Sequence, residues 1–186
     1  VAALAEQAKA TRTGTPDDED VLYGPVNNQN QLAHVSGFID RAPKHARIVA
    51  GGSRFGNTGY FFEPTVLGNV DPKATIACEE IFGPIVAVIP FKTEAEAVKI
   101  ANDTVYGLAG GIWTQNIKRA LRVAKNINAG YLWVNTYGGI IPETPYGGLK
   151  QSGIGKELGK DGLNMYLESK TINIFIGDKI PAFYKG

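Results

Sequence analysis

The chain has 186 residues, 44% of them hydrophobic, and carries 19 basic and 18 acidic side chains, for a formal net charge of +1. This length and apolar content allow one hydrophobic core or slightly more than one domain. The near-neutral charge argues against nucleic acid or an acidic membrane as a partner, and no apolar stretch approaches the roughly 20 residues of a membrane span. One cysteine excludes an internal disulfide and a cysteine-based zinc site, and it fits a reducing cytoplasm, where we predict the protein to lie.

The first part of the chain alternates helical and extended patterns. Residues 1–10 have helical spacing, and residues 11–23 form a polar loop. A helix buried on one side is predicted from Asn27 onward, because apolar residues recur there at helical spacing: Leu32, Val35, Phe38 and Ile39. Residues 47–50 and 60–67 favour extended structure, which predicts a hairpin-like excursion.

The central stretch runs from Cys78 to Phe91 and reads C-E-E-I-F-G-P-I-V-A-V-I-P-F. Its apolar run, Ile85 to Ile89, is too short for a helix, so we predict a strand buried on both faces, as in a parallel sheet. Glu79 and Glu80 then lie just outside the sheet. Two adjacent carboxylates at that place cost free energy unless they are paired with a cation, exposed to solvent or engaged in binding or catalysis. The residues alone leave a solvated turn with a salt bridge as an open alternative.

Helical and extended patterns alternate again after the central strand. Thr93 and Glu96 predict a capping box for a helix that ends near Asp103. Next come a strand at 108–113, a helix at 117–128 that packs Ile117, Leu121, Ala124 and Ile127, and a strand at 131–135. This order predicts an α/β fold with a parallel sheet. Ligands of such sheets bind at the carboxyl ends of strands, where Asn135 lies.

The last part of the chain begins with a loop rich in glycine. Residues 136–155 contain six glycines and two prolines without a regular period. This composition is typical of a loop that is shaped around a neighbouring group. Residues 156–166 return to helical spacing. Residues 171–176, T-I-N-I-F-I, predict an apolar strand whose edge needs covering, and pairing with another subunit would cover it.

Several of these stretches together resemble the NAD(P)-dependent aldehyde dehydrogenase superfamily. They are G-Y-F-F-E-P-T-V at 59–66, E-E-I-F-G-P at 79–84, N-D-T-V-Y-G-L at 102–108, A-G-Y-L-W-V-N-T at 129–136 and P-Y-G-G-L-K-Q-S-G-I-G-K-E-L-G at 145–159. The resemblance covers nearly the whole chain. It implies the carboxyl-terminal part of a parallel-sheet α/β catalytic domain over residues 1–169, and an oligomerisation strand with its tail over residues 170–186.

The resemblance also implies roles for single residues on the coenzyme side, with NAD or NADP as the cofactor. Glu80 would accept hydrogen bonds from the hydroxyls of the nicotinamide ribose, and Phe82 would lie against the nicotinamide side. Leu108 would lie near the nicotinamide.

On the aldehyde side the resemblance implies a small-molecule aldehyde as substrate. Asn135 would help to shape the site, and three further residues would line the tunnel: Tyr137, Ile141 and Tyr146. Glu157 matches a distal proton relay of some members. Lys150 and Gly153 match backbone positions that bind a monovalent cation in some members.

The chemistry that the resemblance implies is attack of a cysteine thiolate on the aldehyde, hydride transfer from the thiohemiacetal to NAD(P)+, and hydrolysis of the thioester. Cys78 is not the expected nucleophile, because it occupies a variable position beside the ribose-binding glutamates. We expect the nucleophile, the general-base glutamate and the glycine-rich phosphate turn to lie upstream of Val1. The 186 residues alone are therefore expected not to oxidise aldehydes.

The implied partners are a small aldehyde and further copies of the chain, in a homo-dimer or homo-tetramer that pairs through residues 171–176. Two other functions stay open at this point. One is a relative that uses coenzyme A or a phosphorylated substrate, and the other is a non-catalytic interaction module. The particular aldehyde and the choice between NAD and NADP are not encoded in these residues.

Overall fold

A computed structural model describes residues 1–178, the side chain of Pro43 excepted. The chain divides into two compact units, Val1–Val105 and Tyr106–Gly186. Both units combine helices with short strands, and each contains one parallel strand pair. The predicted α/β class is therefore confirmed.

The first unit contains four α-helices, three strands and one turn of 3₁₀ helix. In chain order they are α1 (Ala2–Ala10), α2 (Gln29–Arg41), the 3₁₀ turn (Ala42–Lys44), β1 (Arg47–Ala50), β2 (Thr65–Gly68), α3 (Thr75–Cys78), β3 (Ile85–Ala87) and α4 (Glu94–Asn102). β2 is the middle strand, with β1 antiparallel on one side and β3 parallel on the other. The hairpin-like excursion thus joins β1 to β2.

The core of this unit lies between α2 and the residues around β2. The apolar stripe of α2 predicted from the sequence is buried and packs with Phe62, Leu67 and Val70. All four residues of β2 are buried, as a central strand requires. β3 departs from the prediction of a strand buried on both faces, since the side chain of Val86 is 44% exposed. β3 is an edge strand among the described residues, and the face that carries Val86 is not covered by them.

Over residues 106–178 the second unit contains four strands and two helices. They are β4 (Tyr106–Gly107), β5 (Ala109–Ile112), α5 (Ile117–Asn126), β6 (Tyr131–Val134), β7 (Leu149–Lys150) and α6 (Gly159–Asn164). β5 and β6 pair in parallel, joined by α5, and β4 pairs with β7 antiparallel. Across the described residues, the strands form three small sheets instead of one continuous sheet.

Three helices begin at a side-chain cap that their sequence encodes. The Asn28 Oδ1, Thr93 Oγ1 and Asn116 Oδ1 atoms accept hydrogen bonds from backbone N–H groups of α2, α4 and α5, respectively. At α4, the Glu96 carboxylate also accepts a bond from the Lys92 N–H at 2.7 Å. The predicted capping box is thus present, with its return bond shifted by one residue.

Two predicted elements differ from the structure. α5 buries Ala120, whereas Ile117 and Leu121, predicted to pack inward, are exposed. Ala120 is the one residue of α5 that is buried. Residues 171–176 have no regular secondary structure, and their isoleucines are exposed. A strand needs a neighbour for its backbone hydrogen bonds, and no other part of the described chain provides one.

Among residues 1–178, every helix is too short or too polar to cross a lipid bilayer.

Candidate functional site

The two adjacent glutamates follow a single helical turn. α3 ends at Cys78, and Glu79 leaves the helix with an extended backbone, its N–H bonded to the Thr75 carbonyl at 2.9 Å. Glu79 and Glu80 are both exposed. Neither forms an ion pair within the described residues, so the alternative of a salt-bridged turn has no support there.

The loop after these glutamates has an unusual backbone. Phe82 has a φ of +53°, and its side chain is 75% exposed. A residue other than glycine is disfavoured in this left-handed region by about 1–2 kcal/mol, so the surroundings must hold it. An exposed aromatic ring on a fixed loop is available to contact a planar ligand group.

α2 holds this loop. The Gln31 Nε2 atom donates hydrogen bonds to the carbonyl oxygens of Ile81 at 3.0 Å and Phe82 at 2.9 Å. Gly83 lies so close to α2 that a Cβ atom there would be 2.6 Å from a methyl group of Val35. Sequence analysis missed Gln31, because its partners are 50 and 51 residues away.

An open groove adjoins the ring of Phe82. It has a volume of about 700 Å³ and is lined by Tyr23, Pro25, Val26, Asn27, Gln31, Phe82 and Gly83. Burial raises the pKa of the Tyr23 phenol above its usual 10.0, so this side chain stays neutral near neutral pH. Aromatic and polar side chains both line the groove.

Asn135 lies where the sequence predicts it, directly after β6. Its φ is +55°, and its N–H donates to the Ile112 carbonyl at 2.8 Å. Its side chain accepts a bond from the Thr114 N–H at 2.9 Å and donates one to the Thr114 carbonyl at 3.0 Å. Asn135 therefore ties together the carboxyl ends of β5 and β6.

A row of four aromatic rings runs along β6 into the loops that follow it. Tyr146, Tyr131, Trp133 and Tyr137 have successive centroid distances of 5.5, 4.9 and 5.0 Å. The Trp133 Nε1 atom donates to the Gly139 carbonyl at 2.6 Å and thereby fixes the loop after the strand. Two predicted tunnel residues, Tyr137 and Tyr146, thus stand at the two ends of this row. Ile141, the third, is exposed outside it.

A second cavity, of about 620 Å³, brings together four of the predicted residues. Leu108, Tyr146, Gly153 and Glu157 all line it. Tyr146 and Glu157 exchange two backbone hydrogen bonds of 2.7 Å, so their positions are coupled.

Lys156 holds the glycine-rich loop beside this cavity. Its Nζ atom donates to the carbonyls of Gly147 and Gly148, each at 2.8 Å. Lys150 belongs to β7 and has a φ of +53°. Within residues 1–178 no cluster of histidine, cysteine or acidic side chains could hold a metal ion, and the predicted cation site depends on backbone atoms alone.

Comparison with known proteins decides the family. The model of the aldehyde dehydrogenase family matches residues 1–172. The chain belongs to the aldehyde dehydrogenase family. An aldehyde dehydrogenase of Emericella nidulans is 43% identical over 183 residues, which are 98% of this chain and 37% of that protein. The mitochondrial aldehyde dehydrogenase of Leishmania tarentolae is 43% identical over 93% of this chain and 35% of its own length.

Solved structures of aldehyde dehydrogenases share the fold. A betaine aldehyde dehydrogenase from Staphylococcus aureus, solved in complex with NAD+, has a TM-score of 0.93 and 39% identity, over 100% of this chain and 38% of its own. An aldehyde dehydrogenase from Bacillus cereus has a TM-score of 0.87 and 42% identity, over 90% of this chain and 34% of its own. The chain thus spans little more than a third of the length of these aldehyde dehydrogenases.

Proposed function

We propose that this chain forms the nicotinamide-ribose side of the coenzyme site, and part of the aldehyde tunnel, of an NAD- or NADP-dependent aldehyde dehydrogenase that acts in the cytoplasm. The observation that carries the proposal is the loop from Glu79 to Phe82. Its side chains at 79, 80 and 82 are exposed, while its backbone is fixed to α2 by Gln31. The NAD+ complex of the related betaine aldehyde dehydrogenase supports the choice of coenzyme.

Glu80 carries the binding role in this proposal. A carboxylate accepts two hydrogen bonds without donating any, which matches the pair of hydroxyls of a ribose. Hydrogen bonds to a charged group contribute about 1.5–3 kcal/mol each. The bound coenzyme supplies the acceptor for the hydride that leaves the aldehyde carbon, and the ring of Phe82 lies against its nicotinamide side.

The second unit has the substrate roles in the same proposal. Leu108 lies near the nicotinamide, and Asn135 shapes the strand end. Tyr137, Ile141 and Tyr146 line the aldehyde tunnel, and the aromatic row supports the two tyrosines. Glu157 serves as a distal proton relay.

Two further parts of the proposal concern a cation and assembly. The backbone of Lys150 and Gly153 binds a monovalent cation. Residues 171–176 pair with a second copy of the chain in a homo-dimer or homo-tetramer, which would cover their exposed isoleucines.

The thiolate nucleophile is not Cys78 in this proposal. The Cys78 Sγ atom donates to the Pro72 carbonyl at 3.4 Å, and the side chain is only partly exposed. We propose that the nucleophile and the general base belong to a part of the enzyme outside these 186 residues.

The coenzyme role is tested by titrating the isotope-labelled chain with NADH into the millimolar range while the backbone amide shifts are followed. We expect saturable shifts at Glu80, Ile81 and Phe82. Glu80→Gln should weaken NADH binding by about tenfold or more, in line with the loss of one charge-assisted hydrogen bond. Glu79→Gln, the matched control, should bind within about twofold of the parent. Equal losses in the two variants, or no shifts in the parent, would contradict the proposal.

A further inference from the structure

α2 and the coenzyme-binding loop are joined by one side chain that has not been given a role in the reaction. The Gln31 N–H bonds to the Asn28 Oδ1 atom at 2.9 Å, so the backbone of Gln31 is fixed in the first turn of α2 by the helix cap. From there its Nε2 atom reaches both the Ile81 and Phe82 carbonyls. Gln31 therefore connects a capped helix directly to the loop.

These two hydrogen bonds depend on the backbone conformation of Phe82. In an extended chain successive carbonyls point to opposite sides, so one amide group could not reach both. At Phe82, whose φ is +53°, the carbonyls before and after the Cα atom both accept from the Gln31 amide, so they point towards the same side. The Gln31 amide thus stabilises a loop conformation in which the Phe82 ring projects into solvent.

Packing supports this loop at Ile81, whose partly buried side chain lies against the core of the first unit. The residues on either side of it have little such support. Glu79 and Glu80 are exposed, and Phe82 is 75% exposed, so their side chains gain little from packing. Gly83 lies close to Val35 of α2 as well. Within the described residues, side chains donate two hydrogen bonds to the backbone of residues 79–83. Both are donated by Gln31.

We infer that Gln31 is a positioning residue for the coenzyme: it acts by holding the turn at Phe82, so that Glu80 and the Phe82 ring are preorganised for the nicotinamide ribose. This inference rests on the proposed function. Preorganisation raises affinity because the loop then loses little conformational freedom on binding. Without the Gln31 amide, the loop would have to be ordered by NADH itself.

The test replaces Gln31 by methionine, which has a similar length and no donor, and measures the dissociation constant of NADH from the amide shifts of Glu80 and Phe82. We expect Gln31→Met to weaken binding by about fivefold or more, since two neutral hydrogen bonds are lost. Gln29→Met is the matched control, because it removes the same amide from an exposed position in the same helix turn. It should bind NADH within about twofold of the parent.

A double-mutant cycle separates positioning from general destabilisation. If Gln31 acts partly through Glu80, then Gln31→Met should weaken NADH binding by a smaller factor in a Glu80→Gln background than in the parent, because the effects of coupled residues do not add. Full additivity, or a Gln31→Met variant that binds like Gln29→Met, would overturn the inference while leaving the proposed function intact. Absence of NADH binding by the parent chain would instead overturn the proposed function, and the inference with it. Unperturbed amide shifts of Val66 and Leu67, which are buried in β2, establish that each variant is folded.

Discussion

Phe82 combines a strained backbone with an exposed ring. This combination suits the binding of a ligand better than it suits the stability of the fold. The left-handed conformation costs about 1–2 kcal/mol for a residue other than glycine. A ring that is 75% exposed regains little of this by burial. The residue is therefore better explained by a ligand than by the fold.

We predict that Phe82→Gly separates the two properties. Glycine relieves the strain but loses about 0.5–1 kcal/mol through chain entropy, so the free energy of unfolding in urea should stay within about 1 kcal/mol of the parent. NADH binding should nevertheless weaken several-fold, because the ring is gone. Asn69→Gly is the matched control, since Asn69 is exposed and has a φ of +52°. Loss of stability with unchanged NADH affinity would assign Phe82 to the fold instead.

At the scale of single residues, the sequence indicates candidate residues that belong to one short continuous motif. It does not indicate residues whose partners lie far away along the chain. Glu80 and Phe82 are predicted as coenzyme-binding residues from the six-residue motif at 79–84. Gln31 lies beside the apolar stripe of α2, where a polar residue attracts no notice, and its role depends on a fold that brings residue 81 next to it. Lys156 was missed for the same reason, because its contacts are with the backbone of a loop that has no period.

At the scale of helices and strands, the ends of helices are encoded locally. Thr93 and Asn28 cap α4 and α2 through bonds to residues three positions ahead, which the sequence alone can specify. The face of a helix that is buried depends instead on what lies opposite. The predicted stripe of α2 is correct, whereas α5 turns Ala120 inward and leaves Leu121 56% exposed.

We predict that Asn28→Ala lowers the free energy of unfolding by about 1 kcal/mol, because the Gln31 N–H loses its acceptor at the helix end. Urea denaturation followed by circular dichroism measures the change. Asn27→Ala, one residue before the cap, should change stability by less than about 0.5 kcal/mol. Equal effects of the two substitutions would contradict the assignment of Asn28 as the cap.

The orientation of α5 gives a second prediction. Ala120 is 1% exposed, so Ala120→Leu should overpack its contact and cost about 1–3 kcal/mol of unfolding free energy. Leu121→Lys should cost less than about 0.5 kcal/mol, because its side chain already lies in solvent. Thermal denaturation of the two variants checks the order. If Leu121→Lys were the more damaging substitution, the helix face predicted from the sequence would be the correct one.

At the scale of the whole molecule, the end of the described chain exposes apolar side chains and lacks the strand pairing that its sequence predicts. Ile172, Ile174 and Ile176 are exposed and unpaired with any described strand, although their sequence predicts one. Strand pairing is a relation between two segments, so a sequence can specify a strand that only a second copy of the chain would complete.

We predict that the chain self-associates through residues 171–176. Sedimentation velocity should detect dimers or larger species that Ile174→Lys shifts towards monomer, because a charge opposes burial of the strand. Ile117→Lys, at a similarly exposed isoleucine of α5, should leave the distribution of species unchanged. A monomeric parent chain, or equal effects of the two substitutions, would contradict this prediction.

The most direct measurement for the whole account asks which part of the coenzyme the chain touches. In saturation-transfer NMR on the chain with excess NADH, we predict the strongest transfer to the nicotinamide protons and those of the attached ribose, with weaker transfer to the adenine protons. The pattern should fade in Glu80→Gln and persist in Glu79→Gln. Transfer mainly to adenine, or the same pattern in both variants, would contradict the assignment of the Glu79–Phe82 loop to the nicotinamide ribose.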